Sequence, residues 1–87
     1  PDNMKPIFIA HKVQDTGYSK IVKDQHISCS FKQGKNTLRG IGYNMPQHMN
    51  VIQSGKPFDI VFQLQLNDWQ GTQSVQLQIM DIKPNPI

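Results

Sequence analysis

The feature that most constrains the fold of this chain is a regular alternation of apolar and polar side chains after Pro57. Every second residue of this run is large and apolar: Phe58, Ile60, Phe62, Leu64 and Leu66. The residues between them are mostly polar. Because successive side chains of a strand point to opposite faces, this period of two predicts a β-strand with one buried face.

The same period predicts four further strands, so that the chain contains five in all. They cover residues 7–13, 27–31, 37–43, 58–67 and 75–80, with more β-forming residues at 18–22. Residues 33–36 predict a tight turn, and residues 67–72 predict a hairpin loop. Gly40 and Gly42 lie two apart in the third strand, which permits the bending or close backbone approach that a barrel corner needs.

One short helix is predicted between the third and fourth strands. Pro46 suits a first helical turn, and Met45, Met49 and Ile52 recur at helical spacing before Gly55. Three strands, a helix and two strands form the order of an oligonucleotide/oligosaccharide-binding (OB) fold, a five-stranded Greek-key barrel. Closure into a barrel also removes exposed strand edges. An SH3-like barrel and a truncated immunoglobulin-like sandwich are the alternatives, and both have less use for the helix.

Length and composition bound the organisation of the protein. A chain of 87 residues and 9.9 kDa predicts a single domain over residues 1–87, with a Pro-rich, linker-like end at 83–87. Its start at Pro1 and this end lead us to expect an excised fragment of a larger enzyme. We expect no membrane segment, because no long apolar run is present. Cys29 is the only cysteine, which excludes internal disulfides and predicts a reducing, cytoplasmic setting.

Catalysis within this chain is the weaker functional hypothesis. The sequence has no paired carboxylates, phosphate-binding glycine loop, GxSxG or HExxH motif. His26 and Cys29 are three residues apart, a spacing that points side chains to opposite faces of a strand. We therefore predict a buried, inert thiol rather than a Cys-His pair, and neither a metal nor another cofactor in this chain.

Nucleic-acid binding has more support, because the second and third strands of an OB fold and its loops face extended ligands. The chain has a formal net charge of +3, and these segments hold many of its cations. The candidate phosphate contacts are Lys20, Lys23, Lys32, Lys35 and Arg39. Tyr43 is the best candidate for stacking on bases, and Trp69 and Tyr18 are further candidates. Trp69 can equally pack over an open end of the barrel, and a similar spread of cations occurs on any solvated sheet face.

Three segments resemble the barrel domain of RecJ, the bacterial single-stranded-DNA-specific exonuclease. Residues 67–82 are similar to its NxWxG…QLxIxDI ending, which is the most specific of the three. Residues 3–8 resemble its NxxPxF entry segment, and residues 38–43 are similar to its LxxIxF third strand. The likeness spans essentially the whole chain.

The resemblance implies a 5′-to-3′ exonuclease of recombination and repair, with a Mn²⁺- or Mg²⁺-binding DHH core upstream. The motifs of that core have no counterpart here, so no catalytic or metal-binding role passes to this chain. The implied partners are single-stranded DNA and the catalytic domains of the parent enzyme. The alternative is an interaction module with little DNA binding of its own. The motif residues either define the fold or touch DNA: Asn67, Trp69, Gly71, Gln76 and Asp81.

Overall fold

The computed structural model describes residues 5–85, which form six strands and one short helical segment. A 3₁₀ turn, Pro46–His48, leads into the helix α1 (Met49–Ile52). The strands are β1 (Phe8–Asp15), β2 (Lys20–Val22), β3 (His26–Gln33), β4 (Asn36–Gly42), β5 (Phe58–Trp69) and β6 (Thr72–Pro84). The prediction of an all-β chain with one short helix between the third and fourth main strands is confirmed.

Five of these strands close into a ring. The order is β1-β3-β4-β6-β5, and β5 returns to pair with β1. β4 and β6 run parallel, whereas the other neighbours are antiparallel. This is the Greek-key connectivity of an OB-like barrel. The short strand β2 was not predicted as a separate element; it lies outside the ring and pairs only with β3.

The core lies inside this ring and consists of apolar residues from β1, β3, β5, β6 and the helical segment, and Leu38 of β4 packs against it partly buried. Phe31 and Phe58 meet edge to face at its centre, with 5.0 Å between ring centroids. The buried residues are Val13, Ile27, Cys29, Phe31, Met45, Met49, Ile52, Phe58, Ile60, Leu77, Ile79 and Ile82. The predicted burial of Cys29 is therefore confirmed, and so is the predicted buried face of β5 at Phe58 and Ile60. The same prediction is wrong at Leu64 and Leu66, which are exposed because no further layer covers that end of the strand.

Gly40 allows β4 to approach β6 closely. A Cβ atom at this position would overlap the carbonyl oxygen of Leu77, its register partner on the parallel strand. At Gly42 the overlap would be with the Met45 side chain. The close approach predicted for this glycine pair thus occurs where the barrel joins β4 to β6.

β5 and β6 form a hairpin that is longer than the barrel requires. β1 pairs with β5 only up to Phe62, and β4 pairs with β6 only from Leu77. We call the remaining two-stranded ribbon, residues 63–69 of β5 and 72–76 of β6, the hairpin tip. Its turn is only Gln70-Gly71, with φ of 50° and 81°, the left-handed pair of a type I′ turn. The predicted 67–72 loop is wrong, because cross-strand pairing extends to Trp69 and Thr72.

The last described residues also differ from the expected linker. Lys83 and Pro84 pair with Asp59 and Phe58 as the end of β6. Asn85 continues this contact, since its side-chain amide donates to Asp59 at 3.0 Å. The remainder of the predicted linker, residues 86–87, lies outside the described residues.

Candidate nucleic-acid interface

Three of the five predicted cations share the outer face of β2, β3 and β4. The register places Lys20 beside Ser28, Arg39 beside Ser30, and Lys32 beside Thr37. The alternate positions of β3 are buried in the core, so these side chains face outward. Within residues 5–85, no hydrogen bond or ion pair engages the three cationic groups. Their charges are therefore available to an external anion.

A shallow groove of about 350 Å³ crosses this face at Arg39. Gly40, which has no side chain, lines it, and so does Tyr18, which is 79% exposed. We call this the Arg39 groove; it is lined by Tyr18, Ser28, Cys29, Ser30, Arg39, Gly40 and Gln76. A guanidinium group, an exposed phenol ring and two hydroxyls suit a phosphate, a base and a sugar.

Tyr18 is held near Arg39 by a polar network centred on Ser30. The backbone N–H of Ser30 donates to the Ser19 hydroxyl at 2.9 Å, and Thr16 Oγ1 lies 2.8 Å from the Ser30 hydroxyl. The backbone N–H of Tyr18 in turn donates to Thr16 Oγ1 at 3.3 Å. Because Ser30 is opposite Arg39, this network fixes the β1–β2 loop against the groove.

The other predicted residues are more distant from the groove. Lys23 lies in the β2–β3 turn with a φ of 56°, whereas Lys35 lies in the turn after β3. The two turns are at opposite ends of β3, about 25 Å apart at the usual rise per residue. Tyr43 follows β4, and its ring meets the His26 ring edge to face with 5.3 Å between ring centroids. The backbone of Trp69 ends β5 opposite Thr72. Its side chain is outside the described part of the structure, so base stacking and packing over the barrel both stay predictions.

Cys29 is buried in the core, and three histidines have partners within the structure. Cys29 is buried, and burial raises the pKa of its thiol to about 12, with a smaller opposing contribution from the Gly42 backbone. His26 Nδ1 accepts the backbone N–H of Asn44 at 3.1 Å. His11 Nδ1 lies 3.0 Å from the Asp59 carboxylate, and His48 lies 3.8 Å from Asp81. Among residues 5–85, no three His, Cys, Asp or Glu side chains cluster as a metal site would require.

Four of the motif residues have roles in the structure of the hairpin. Asn67 Nδ2 donates to Gln76 Oε1 across the strands at 2.9 Å, and Gly71 supplies the left-handed turn. The Asp81 carboxylate accepts the backbone N–H of Ile82 at 2.9 Å. Gln76 has a second location, because it also lines the Arg39 groove. The motif thus marks both the fold and one wall of the candidate interface.

The fold described above, a closed ring of five strands, is the one expected for the family whose model matches this chain. The family model for the RecJ OB domain matches residues 1–81. The chain belongs to the RecJ OB domain family. No curated protein and no solved structure matches it. The RecJ OB domain is noncatalytic, and membership implies a RecJ-like nucleic-acid-binding module.

Sequence reasoning missed part of the groove of this RecJ OB domain. Ser28 and Ser30 are not among the candidates predicted from the sequence, and Tyr43 rather than Tyr18 is the predicted best stacking residue. The available signal was the alternation of β3, which places both serines on the face opposite Cys29.

No helix within residues 5–85 is long and apolar enough to span a membrane.

Proposed function

We propose that this RecJ OB domain is a noncatalytic single-stranded-DNA-binding module of a 5′-to-3′ exonuclease in recombination and repair. The observation that carries the proposal is the Arg39 groove, flanked along the sheet by Lys20 and Lys32. The outward residues of β3 and β4 beside these cations are serine, threonine and isoleucine, with no acidic group. Such a face attracts a polyanion without an opposing charge.

Each group in the groove has a part in this proposal. Arg39, Lys20 and Lys32 bind phosphates, and Tyr18 offers the most exposed ring for base stacking. Lys23, Lys35 and Tyr43 extend the contact toward the ends of β3. Hydrolysis and the Mn²⁺ or Mg²⁺ ions belong to the catalytic domains of the parent chain in the cytoplasm, to which this domain directs the strand.

A salt-dependent titration with single-stranded and double-stranded DNA tests the proposal. With about three phosphates neutralised, log K should fall with log salt at a slope near −2, from about −0.7 per single-strand contact. Replacing both Arg39 and Lys32 by alanine should make the slope shallower by about 1.4, for two lost contacts at about 0.7 each. Lys56→Ala is the matched control, because this exposed lysine lies in the connection between α1 and β5. Binding that does not change with salt would contradict the phosphate contacts.

The hairpin tip favours a second candidate function, an interaction module. Leu64, Leu66 and Val75 are exposed on one side of the tip, and Phe8 continues this surface at the barrel. A cavity of about 400 Å³ lies beside Phe8, Leu64 and Leu66. Exposed apolar surfaces of this kind commonly contact another protein or domain.

The two candidates give different results with the chain alone. An interaction module folds but does not bind single-stranded DNA, even at low salt. Leu66→Ser should weaken its association with the remaining domains of the parent enzyme and leave DNA binding unchanged, as measured by co-purification and titration. Unchanged association would contradict the second candidate.

A further inference from the structure

The outer face of the β5–β6 hairpin carries a row of amide side chains. Gln63 is opposite Gln78, and Gln65 is opposite Gln76. We call this set the amide row: Gln63, Gln65, Asn67, Gln76 and Gln78. All five are half-buried, and the row contains no charge. Toward the other end of the same strands, the outward positions include three charged residues, Asp59, Asp81 and Lys83, together with Val61.

Sheet stability does not explain the row. β-branched and aromatic residues favour strands, whereas Asn is depleted there and Gln is not among the favoured residues. In the hairpin tip this face has no third strand beside it, and of the five amides only Gln78 lies next to a strand outside the hairpin, at Ile41 of β4. The row therefore combines a neutral surface, an open position and side chains that each carry a donor and an acceptor.

The hydrogen bonds within the protein leave part of this capacity unused. Asn67 Nδ2 donates to Gln76 Oε1 at 2.9 Å, and Gln63 Nε2 donates to the Lys5 carbonyl at 3.4 Å. Gln65 Oε1 is shielded from solvent and has no partner within residues 5–85. No hydrogen bond in that part of the chain uses the Gln78 amide. A shielded acceptor without a partner is unfavourable, and a bound ligand that donates to it would remove this cost.

The row is continuous with the candidate interface. Gln76 lines the Arg39 groove, and Gln78 lies beside Ile41, two residues after Arg39 on β4. A strand whose phosphates follow Lys20, Arg39 and Lys32 would therefore have the amide row along one side. The charged and the neutral surfaces lie on the same outer face of the sheet.

We propose that the amide row binds the edges of nucleobases in the single strand that occupies the Arg39 groove. This inference rests on the proposed function and adds a second class of contact to it. A carboxamide presents a donor and an acceptor side by side, so it can pair with the exposed edge of any base. Because the amides are uncharged, they release no counterions, and their contribution does not depend on salt.

The double variant Gln65→Ala/Gln78→Ala tests the inference. Its binding to a mixed-sequence single-stranded oligonucleotide should be about tenfold weaker at every salt concentration, for two lost hydrogen bonds. The slope of log K against log salt should not change. Gln73→Ala is the matched control, because Gln73 is an exposed glutamine of β6 on the opposite face of the ribbon, opposite Asp68. It should bind like the unmodified chain, and thermal unfolding should show all three proteins folded.

An abasic oligonucleotide of the same length gives the second measurement. Without base edges, the double variant and the unmodified chain should bind equally, although both bind more weakly because stacking is also lost. Salt-dependent binding that the double variant retains in full would overturn the amide inference alone. A tenfold loss that persists on the abasic strand would assign these amides to the backbone and overturn base contact. Absence of any binding by the unmodified chain would overturn the proposed function together with this inference.

Discussion

The two halves of the β5–β6 hairpin have the same alternation and opposite environments. In the barrel half, Ile60 and Ile82 are buried at 0% and 2% exposure. In the hairpin tip, Leu66 and Val75 on the equivalent face are 68% and 61% exposed. The barrel half has β1 and β4 as neighbours and a core opposite it, whereas the tip has neither. The local sequence pattern thus determines which face of a strand is apolar, but whether that face is buried depends on the strands and core that pack against it.

The two halves of the hairpin also contribute different properties to the molecule. The barrel half supplies stability, because its apolar residues meet Phe31, Phe58 and the helical segment. The tip supplies surface, with exposed apolar side chains on one face and four of the five amide-row residues on the other. Substitutions in the two halves should therefore affect different measurements.

The largest effect on stability should come from Ile60→Ala. Removing a fully buried isoleucine side chain leaves a cavity and lowers the free energy of unfolding by about 4 kcal/mol. The matched change in the tip, Leu66→Ala, should lower it by less than about 0.5 kcal/mol. Urea unfolding of both variants measures the difference. Equal losses would show that the tip face is covered after all.

Gly40→Ala should have the next largest effect, because it acts on closure of the barrel. The added methyl group overlaps the Leu77 carbonyl, so β4 and β6 must separate, at a cost of about 3 kcal/mol. Gly42→Ala should cost less, about 1 kcal/mol, since the Met45 thioether that it meets is flexible. Chemical denaturation of both variants gives the ranking, and the reverse order would contradict the role of Gly40.

A smaller effect is expected within the tip, at the hydrogen bond between Asn67 and Gln76. A double-mutant cycle with alanine at both positions should give a coupling of about 1 kcal/mol, the usual net value of such a bond. Thermal unfolding of the four proteins measures it. A coupling near zero would mean that the bond has no net effect on stability, and that the motif residues matter mainly for binding.

The smallest effect should be a pH dependence of the barrel half. Hydrogen bonds from Asn85, the Lys12 backbone and His11 lower the pKa of Asp59 from 3.8 to about 2. Because the folded state binds this proton less readily, the contribution is present above about pH 4 and is lost as the pH falls toward 2. Urea unfolding across this range should show a shallower loss for Asp59→Asn. An unchanged acid dependence would contradict the linkage.

The sequence predicts the face on which some residues of the site lie, but it does not predict which distant residues come together. The outward positions of Lys32 and Arg39 follow from alternation, because Phe31 and Cys29 must face the core. The location of Tyr18 beside Arg39 depends on Thr16 and Ser19 bonding Ser30, more than ten residues along the chain. The prediction of a loop beginning at Asn67 is wrong, because pairing with β6 outweighed the turn preference of Asn and Asp.

The sequence by itself determined the strands, the position of the helical segment and the face of each strand that is apolar, because these depend on spacing between nearby residues. Only the tertiary structure decided which apolar faces are covered and which cations come together. Those outcomes depend on closure of the barrel at Gly40 and on the extra length of the β5–β6 hairpin, and both arise from pairing between segments distant in the chain.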